Sequence, residues 1–156
     1  LSVVRGTKLF LPAMLQRGSG HVVSTASFAG LAGAPGLMTY GVSKAAVVAF
    51  SEQLRAECHG TGIAVSVICP AFFKTNLMQS TVGTEKIKHL GQKMMDRSPD
   101  SLDQVADRIF ADINKRRFLI LPTKREPMLW RLKRFLPERY FKELMKLSRN
   151  MTLGAH

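Results

Sequence analysis

Gly20-His21-Val22-Val23-Ser24-Thr25-Ala26-Ser27-Phe28-Ala29-Gly30 leads after a short interval to Tyr40-Gly41-Val42-Ser43-Lys44-Ala45-Ala46. His21 to Thr25 is a short β-branched run and reads as a strand. Between Gly30 and Gly36, three glycines and Pro35 among small residues read as a mobile or tightly turned loop. From Thr39 to about Glu57 there is no proline, and no glycine after Gly41. Val42, Ala46, Ala49, Phe50 and Leu54 recur there at steps of three and four, the spacing of one helix face. His59-Gly60-Thr61-Gly62 stops that helix.

Outward from this centre the pattern repeats. Residues 3–16 are an apolar-rich helical stretch ended by Gly18-Ser19-Gly20. Ile63 to Cys69 is nearly all apolar, as expected of a parallel strand buried on both faces, and Pro70 cannot continue its ladder. Residues 71–98 read as irregular or weakly helical. Asp100-Ser101 should cap a helix carrying Leu102, Val105, Ile109 and Ile113 on one face. Phe118 to Leu121 is a further strand, ended by Pro122. The order helix, strand, helix, strand, helix, strand implies right-handed crossovers and an α/β fold, a parallel sheet with helices on both faces. It looks like the second half of a Rossmann-like doubly wound sheet.

Tyr40 and Lys44, four residues apart, share one helix face. A phenol is a poor base at neutral pH, and a neighbouring ammonium favours the phenolate, so the pair has the composition of a general acid/base. Ser27 lies just past a strand end, and Pro70 lies past the next. In open α/β sheets ligands bind at the carboxyl ends of strands, so separate segments converge on one crevice. Taken singly, each signal is weak: a Tyr and a Lys four apart mostly mark a solvated face, and a Ser after a strand is usually a turn residue.

Together, over residues 1 to about 121, they resemble the classical short-chain dehydrogenase/reductase family. The stretch from Gly20 to Gly30 and the Tyr40-x-x-x-Lys44 motif carry the resemblance, with Ser27 at the family's distance of thirteen residues before the tyrosine. Val67-Ile68-Cys69-Pro70 followed by Thr75 resembles the family's nicotinamide-holding loop, with Ala71 where a glycine is usual. The resemblance implies an NAD- or NADP-dependent oxidoreductase that interconverts a carbonyl and an alcohol by hydride transfer. Tyr40 would be the proton donor, Ser27 the carbonyl-polarising donor and Lys44 the phenolate-stabilising ribose ligand. Pro70, Phe73 and Thr75 would position the nicotinamide. It also implies homo-oligomers through the helices of residues 3–16 and 39–57. The family's glycine-rich phosphate loop, cofactor-selecting residue and helix asparagine have no counterpart from Leu1 onward. The expectation is therefore that the N-terminal part of a longer protein precedes Leu1, and that the isolated fragment neither binds cofactor tightly nor turns over.

Cys58 and Cys69 have neither CxxC nor metal spacing and read as reduced buried thiols of a cytoplasmic protein. No metal site is expected from the four histidines either. No apolar run reaches the length of a membrane span, and no secretory signal is visible. Leu77, Met78, Ile87, Leu90, Met94 and Met95 sit where the family places a substrate-covering lid. They suggest an apolar substrate, with core packing an equal alternative.

Residues 1–122 read as the family domain and 123–156 as a basic amphipathic extension. The net charge is +12. From Lys115 to Arg149, twelve Lys/Arg stand against three Glu, a surplus of nine. Trp130 and other apolar residues interleave with this charge over 124–149, and Pro137 should split the segment into two helices. Such a segment suits the surface of a membrane, or its apolar face packs on the domain or a sister subunit. Nucleic acid is disfavoured for want of a recognition motif. Two other classes stay open: a binding protein that keeps the fold without turnover, and an adaptor built on the tail.

Overall fold

The computed structural model of the chain describes residues 2–76 and 85–152. Its elements are α1 (Ser2–Gln16), β1 (Gly20–Thr25), α2 (Ala29–Ala32), α3 (Met38–Glu57), β2 (Ile63–Ile68), α4 (Glu85–Asp96), α5 (Leu102–Asn114), β3 (Leu119–Ile120), α6 (Glu126–Phe135) and α7 (Pro137–Thr152). The strands form one parallel sheet in the order β1-β2-β3. Gly20 pairs with Ile63 and Thr25 with Ile68, while Ile68 also pairs with Ile120. The α/β alternation expected from the apolar periodicity is therefore present.

The central strand is the buried one. In β2 every residue but Ala64 is buried, whereas Val23 of the edge strand β1 keeps 38% of its surface exposed. Burial on both faces explains why β2 reads as an almost unbroken apolar run. Two apolar clusters sandwich the sheet's two ends. Leu54, Cys58, Ile63 and Val65 pack at the amino ends of the strands, with Leu11 and Met14 of α1 against them. Ala26, Val48, Val67 and Cys69 pack at the carboxyl ends, with Leu31 and Leu121 against them. The turn into β2 needs glycine: Gly62 has φ +81°, and a Cβ there would stand 2.1 Å from the Gly18 carbonyl oxygen.

Four expectations change. Residues 30–36 are not simply a loop, since α2 occupies the start of that segment. Residues 71–98 include a regular helix, α4. Leu102, assigned to the inner face of α5, is 55% exposed, while Val105 of the same helix is buried at 1%. The helix is opened by Ser101, not by Asp100. Ser101 Oγ accepts from the Gln104 N–H, and the Gln104 side chain accepts from the Ser101 N–H, a capping box. Asp100 is instead buried. It takes the Arg108 guanidinium at 2.6 Å and the Lys124 N–H at 3.0 Å, tying the start of α5 to the chain beyond β3. Burial works against its charge, but these two donors prevail and hold its carboxyl below the usual range.

The basic extension is helical on both sides of Pro137, which opens α7. It returns to the domain: α6 packs on α2, and Tyr140 of α7 is 7% exposed. Trp130 is half-buried under the Arg134 guanidinium, 5.4 Å from the ring centre.

Candidate active site

The candidate residues Ser27 and Pro70 lie at the carboxyl rim of the sheet, where the backbone ladder continues past the strand ends. The Ala26 N–H donates to the Ile68 carbonyl at 2.8 Å, and the Phe28 N–H donates to the Pro70 carbonyl at 2.9 Å. Ser27 sits between these two anchors. Its hydroxyl lies 3.4 Å from the Pro70 carbonyl oxygen and accepts the Ala29 N–H at 3.2 Å. Ser27 is thus a rim residue with a positioned hydroxyl, just beyond the end of β1.

Tyr40 and Lys44 occupy the first turns of α3. The Lys44 Nζ stands 5.8 Å from the centre of the Tyr40 ring, within cation–π reach. Tyr40 is 47% exposed, so its phenol is open to a ligand, while Lys44 is half-buried. The four-residue spacing therefore yields the juxtaposition expected of it.

Two close approaches join the serine side of the rim to the tyrosine side. A Cβ on Gly30 would stand 2.6 Å from the backbone carbonyl carbon of Lys44, and one on Gly41 would stand 3.3 Å from the Ala29 carbonyl oxygen. α2 therefore lies directly on the first turns of α3. Beneath the rim, Cys69 is fully buried. Burial pushes its thiol up to about 12, against smaller opposing effects of the Ser27 backbone and the Lys44 charge. It is an inert floor. Gly30 and Cys69 line the candidate site without having been given a role in it: both stand in stretches that carry the family resemblance, but no local signal marks the contact of Gly30 with α3.

Pro70, Phe73 and Thr75 follow one another, half-buried, on the irregular segment leaving β2. The apolar wall is reduced. Met95 is core, 2% exposed, whereas Met94 is 41% exposed. Leu77 and Met78, and the side chains of Ile87 and Leu90, lie outside the described residues. A hollow of about 80 Å³, lined by residues that include Phe72, Met94, Asp100 and Glu126, touches none of Ser27, Tyr40 and Lys44. It is well below the several hundred Å³ of ordinary ligand pockets. Among the described residues no cluster of His, Cys, Asp or Glu could hold a metal ion. Cys58 and Cys69 are unbridged and buried.

A family model described as short chain dehydrogenase matches residues 1–86, which include Ser27, Tyr40, Lys44 and the loop after β2. The chain belongs to the short-chain dehydrogenase family. This family member is 30% identical over 150 residues to dehydrogenase/reductase SDR family member 7B of Danio rerio, a match covering 94% of this chain and 48% of that protein. It is 32% identical over 146 residues to the probable oxidoreductase EphD of Mycobacterium tuberculosis, covering 87% of this chain and 25% of that protein. Among solved structures it resembles a short-chain dehydrogenase/reductase from Burkholderia phymatum in complex with NAD, with a TM-score of 0.73 and 29% identity over 85% of this chain and 53% of that one. This short-chain dehydrogenase chain thus spans a quarter to about half the length of these relatives. The likeness to the solved structure supports the Rossmann-like reading of the parallel sheet.

Proposed function

We propose that the chain carries the catalytic half of an NAD- or NADP-dependent oxidoreductase that interconverts a carbonyl and an alcohol. The observation that carries this reading is the Lys44 ammonium beside an open Tyr40 phenol, on the rim where the Ser27 hydroxyl is held. The donor set suits the nicotinamide end of such a cofactor: hydroxyls of Ser27, Tyr40 and Thr75, one ammonium, and no carboxylate among the proposed residues. Lys44 would hold the nicotinamide ribose, and Pro70, Phe73 and Thr75 the ring. The bound nicotinamide supplies or accepts the hydride.

In the reductive direction Ser27 donates a hydrogen bond to the carbonyl oxygen and polarises it. Tyr40 gives its phenolic proton to the oxygen as negative charge develops there. The phenolate left behind is stabilised by Lys44 and recovers a proton from solvent. Oxidation runs these steps backwards. The Tyr40→Phe variant removes the proton donor from a half-exposed position, so folding should hold while turnover falls about a thousandfold, as loss of general acid catalysis allows. Steady-state oxidation of NADH or NADPH with a carbonyl substrate measures this, and an unchanged rate would reject the role given to Tyr40.

We extend the proposal to an apolar substrate, on the exposed Met94 and half-buried Phe73 beside the rim segment, and to self-association through α1 and α3. The latter rests on the outward Leu9, Phe10 and Val42, each more than 60% exposed.

A second reading concerns the extension. Met128, Phe135 and Phe141 are 67%, 73% and 55% exposed among Arg131, Arg134 and Lys142. Apolar side chains outward among cations fit a peripheral contact with an anionic bilayer, and among the described residues no helix is long and apolar enough to cross one. Co-sedimentation with anionic vesicles should fall when Phe135 and Phe141 are both changed to Ser. Equal pelleting of the two forms would sink the membrane reading.

A further inference from the structure

Ser27 and Tyr40 are joined by a segment whose only regular element is α2, four residues long. So short a helix cannot persist on its own hydrogen bonds, because nucleation costs more than one turn returns. Its start is tethered within the site. The Phe28 N–H reaches the Pro70 carbonyl, and the Ala29 N–H reaches the Ser27 hydroxyl. Its flank is seated through Gly30 on the backbone of Lys44. Any displacement of α2 is therefore transmitted to both the Ser27 hydroxyl and the first turns of α3.

The other end of α2 is held from far away in the chain. The last carbonyls of a helix have no partner of their own. In α2 the Leu31 carbonyl accepts the Lys133 ammonium of α6, and the Ala32 carbonyl accepts the Tyr140 hydroxyl of α7 at 3.0 Å. Gly33 follows in the left-handed conformation, φ +68°, and a Cβ there would stand 3.6 Å from Lys133 Nζ. The ammonium gives a charge-assisted bond. The phenol is buried, and burial raises it above its ordinary value, so it remains a neutral donor.

We propose that Lys133 and Tyr140 are positioning residues for the reaction, the C-terminal helices serving as the cap of α2 and so setting the placement of Ser27 against Tyr40 and Lys44. This rests on the oxidoreductase reading for its kinetic consequence, but not for its structural one. Two measurements on the full-length protein keep them apart. Hydrogen–deuterium exchange over residues 28–36 reads the capping directly. Tyr140→Phe, which keeps the ring, and Lys133→Met should each speed exchange in that segment and leave β2 unchanged. Unaltered exchange overturns the proposal whether or not the protein turns over. Steady-state kinetics with NADH or NADPH and an aromatic diketone then read positioning. kcat should fall about tenfold, the scale of a small misplacement, with KM within about twofold. Lys133→Arg, which retains a charged donor, should recover most of the loss. Faster exchange with an unchanged kcat would overturn the positioning role, and so would a loss carried by KM alone. Absence of turnover in the unaltered protein would defeat the oxidoreductase reading instead, and exchange alone would then decide the capping.

Discussion

The rim beneath the site and the short helix above it are held by different means. The rim is an extension of the sheet: Ala26, Phe28 and Cys69 carry the ladder past the strand ends, over a cluster of Ala26, Val48, Val67 and Cys69. These hydrogen bonds continue a regular ladder and lie over apolar burial. α2 has no such repetition. It is placed by the close approaches at Gly30 and Gly41, by Leu31 against the edge of that cluster, and by a few polar contacts, two of them from helices more than a hundred residues away. The lesson is that stability and geometry are carried separately. The apolar clusters hold the chain folded, and a handful of directional contacts hold Ser27 and Tyr40 where chemistry would need them. Net hydrogen bonds contribute only about 1 kcal/mol each, too little to dominate folding but enough to select one placement of a loop.

That contrast can be broken at its strongest point first. Ile120 is fully buried in β3 and pairs with Ile68. Ile120→Ala should cost about 3 kcal/mol of stability, as cavity-forming substitutions in cores do. Urea denaturation would show the midpoint falling, and turnover of the molecules that remain folded should be close to normal. A large loss of turnover without loss of stability would erase the distinction between the two regions.

Gly30→Ala probes the other side. The added Cβ would press on the Lys44 backbone at 2.6 Å, and neither backbone can swing aside as a side chain does. The overpacking should cost about 2 kcal/mol but depress kcat far more than Ile120→Ala does. Measuring kcat and the urea midpoint on both variants sharpens the comparison, because the two substitutions should rank in opposite order on the two scales.

The smallest expected effect lies at the amino end of the sheet. His21 Nε2 is 2.7 Å from the Ser66 hydroxyl, which itself donates to the Arg117 carbonyl, so Nε2–H is the donor. Burial, and then the Arg116 charge, lower the imidazole from its ordinary 6.5. The unfolded chain therefore takes up this proton more readily than the folded one. The stabilisation is complete above pH 6.5 and is lost as the pH falls towards the lower folded value. Thermal unfolding of the protein and of His21→Gln between pH 7.5 and about 5 should show a shallower decline in the variant. Parallel declines would remove His21 from the account. Turnover at neutral pH should be indifferent to this change, since His21 is at the far end of β1 from Ser27.

Much of the site was legible because its signals are local. Tyr40 and Lys44 share a face through helical periodicity alone, and Ser27 lies past a strand end that β-branching announces. The cap of α5 was legible too, as the pair Asp100-Ser101, of which Ser101 makes the bond. The same locality misled where distant contacts decide. The glycine-rich segment after Ser27 has no helix signal of its own, and residues 71–98 read as irregular or weakly helical although Ile87, Leu90 and Met94 stand at helical steps within α4. Adjacent methionines at 94 and 95 read alike in sequence, yet one is exposed and the other is core.

The alternation of the main strands and helices, the parallel sheet and the spacing of Tyr40 and Lys44 thus belong to the sequence alone, because hydrophobic period and side-chain spacing are set by near neighbours. Tertiary structure alone decided that Gly30 sits on Lys44, that α2 exists as a helix, and that Lys133 and Tyr140 end on its last carbonyls. Those partners lie too far apart in the chain for any periodicity to connect them, and only the folded backbone brings donor and acceptor within bonding distance.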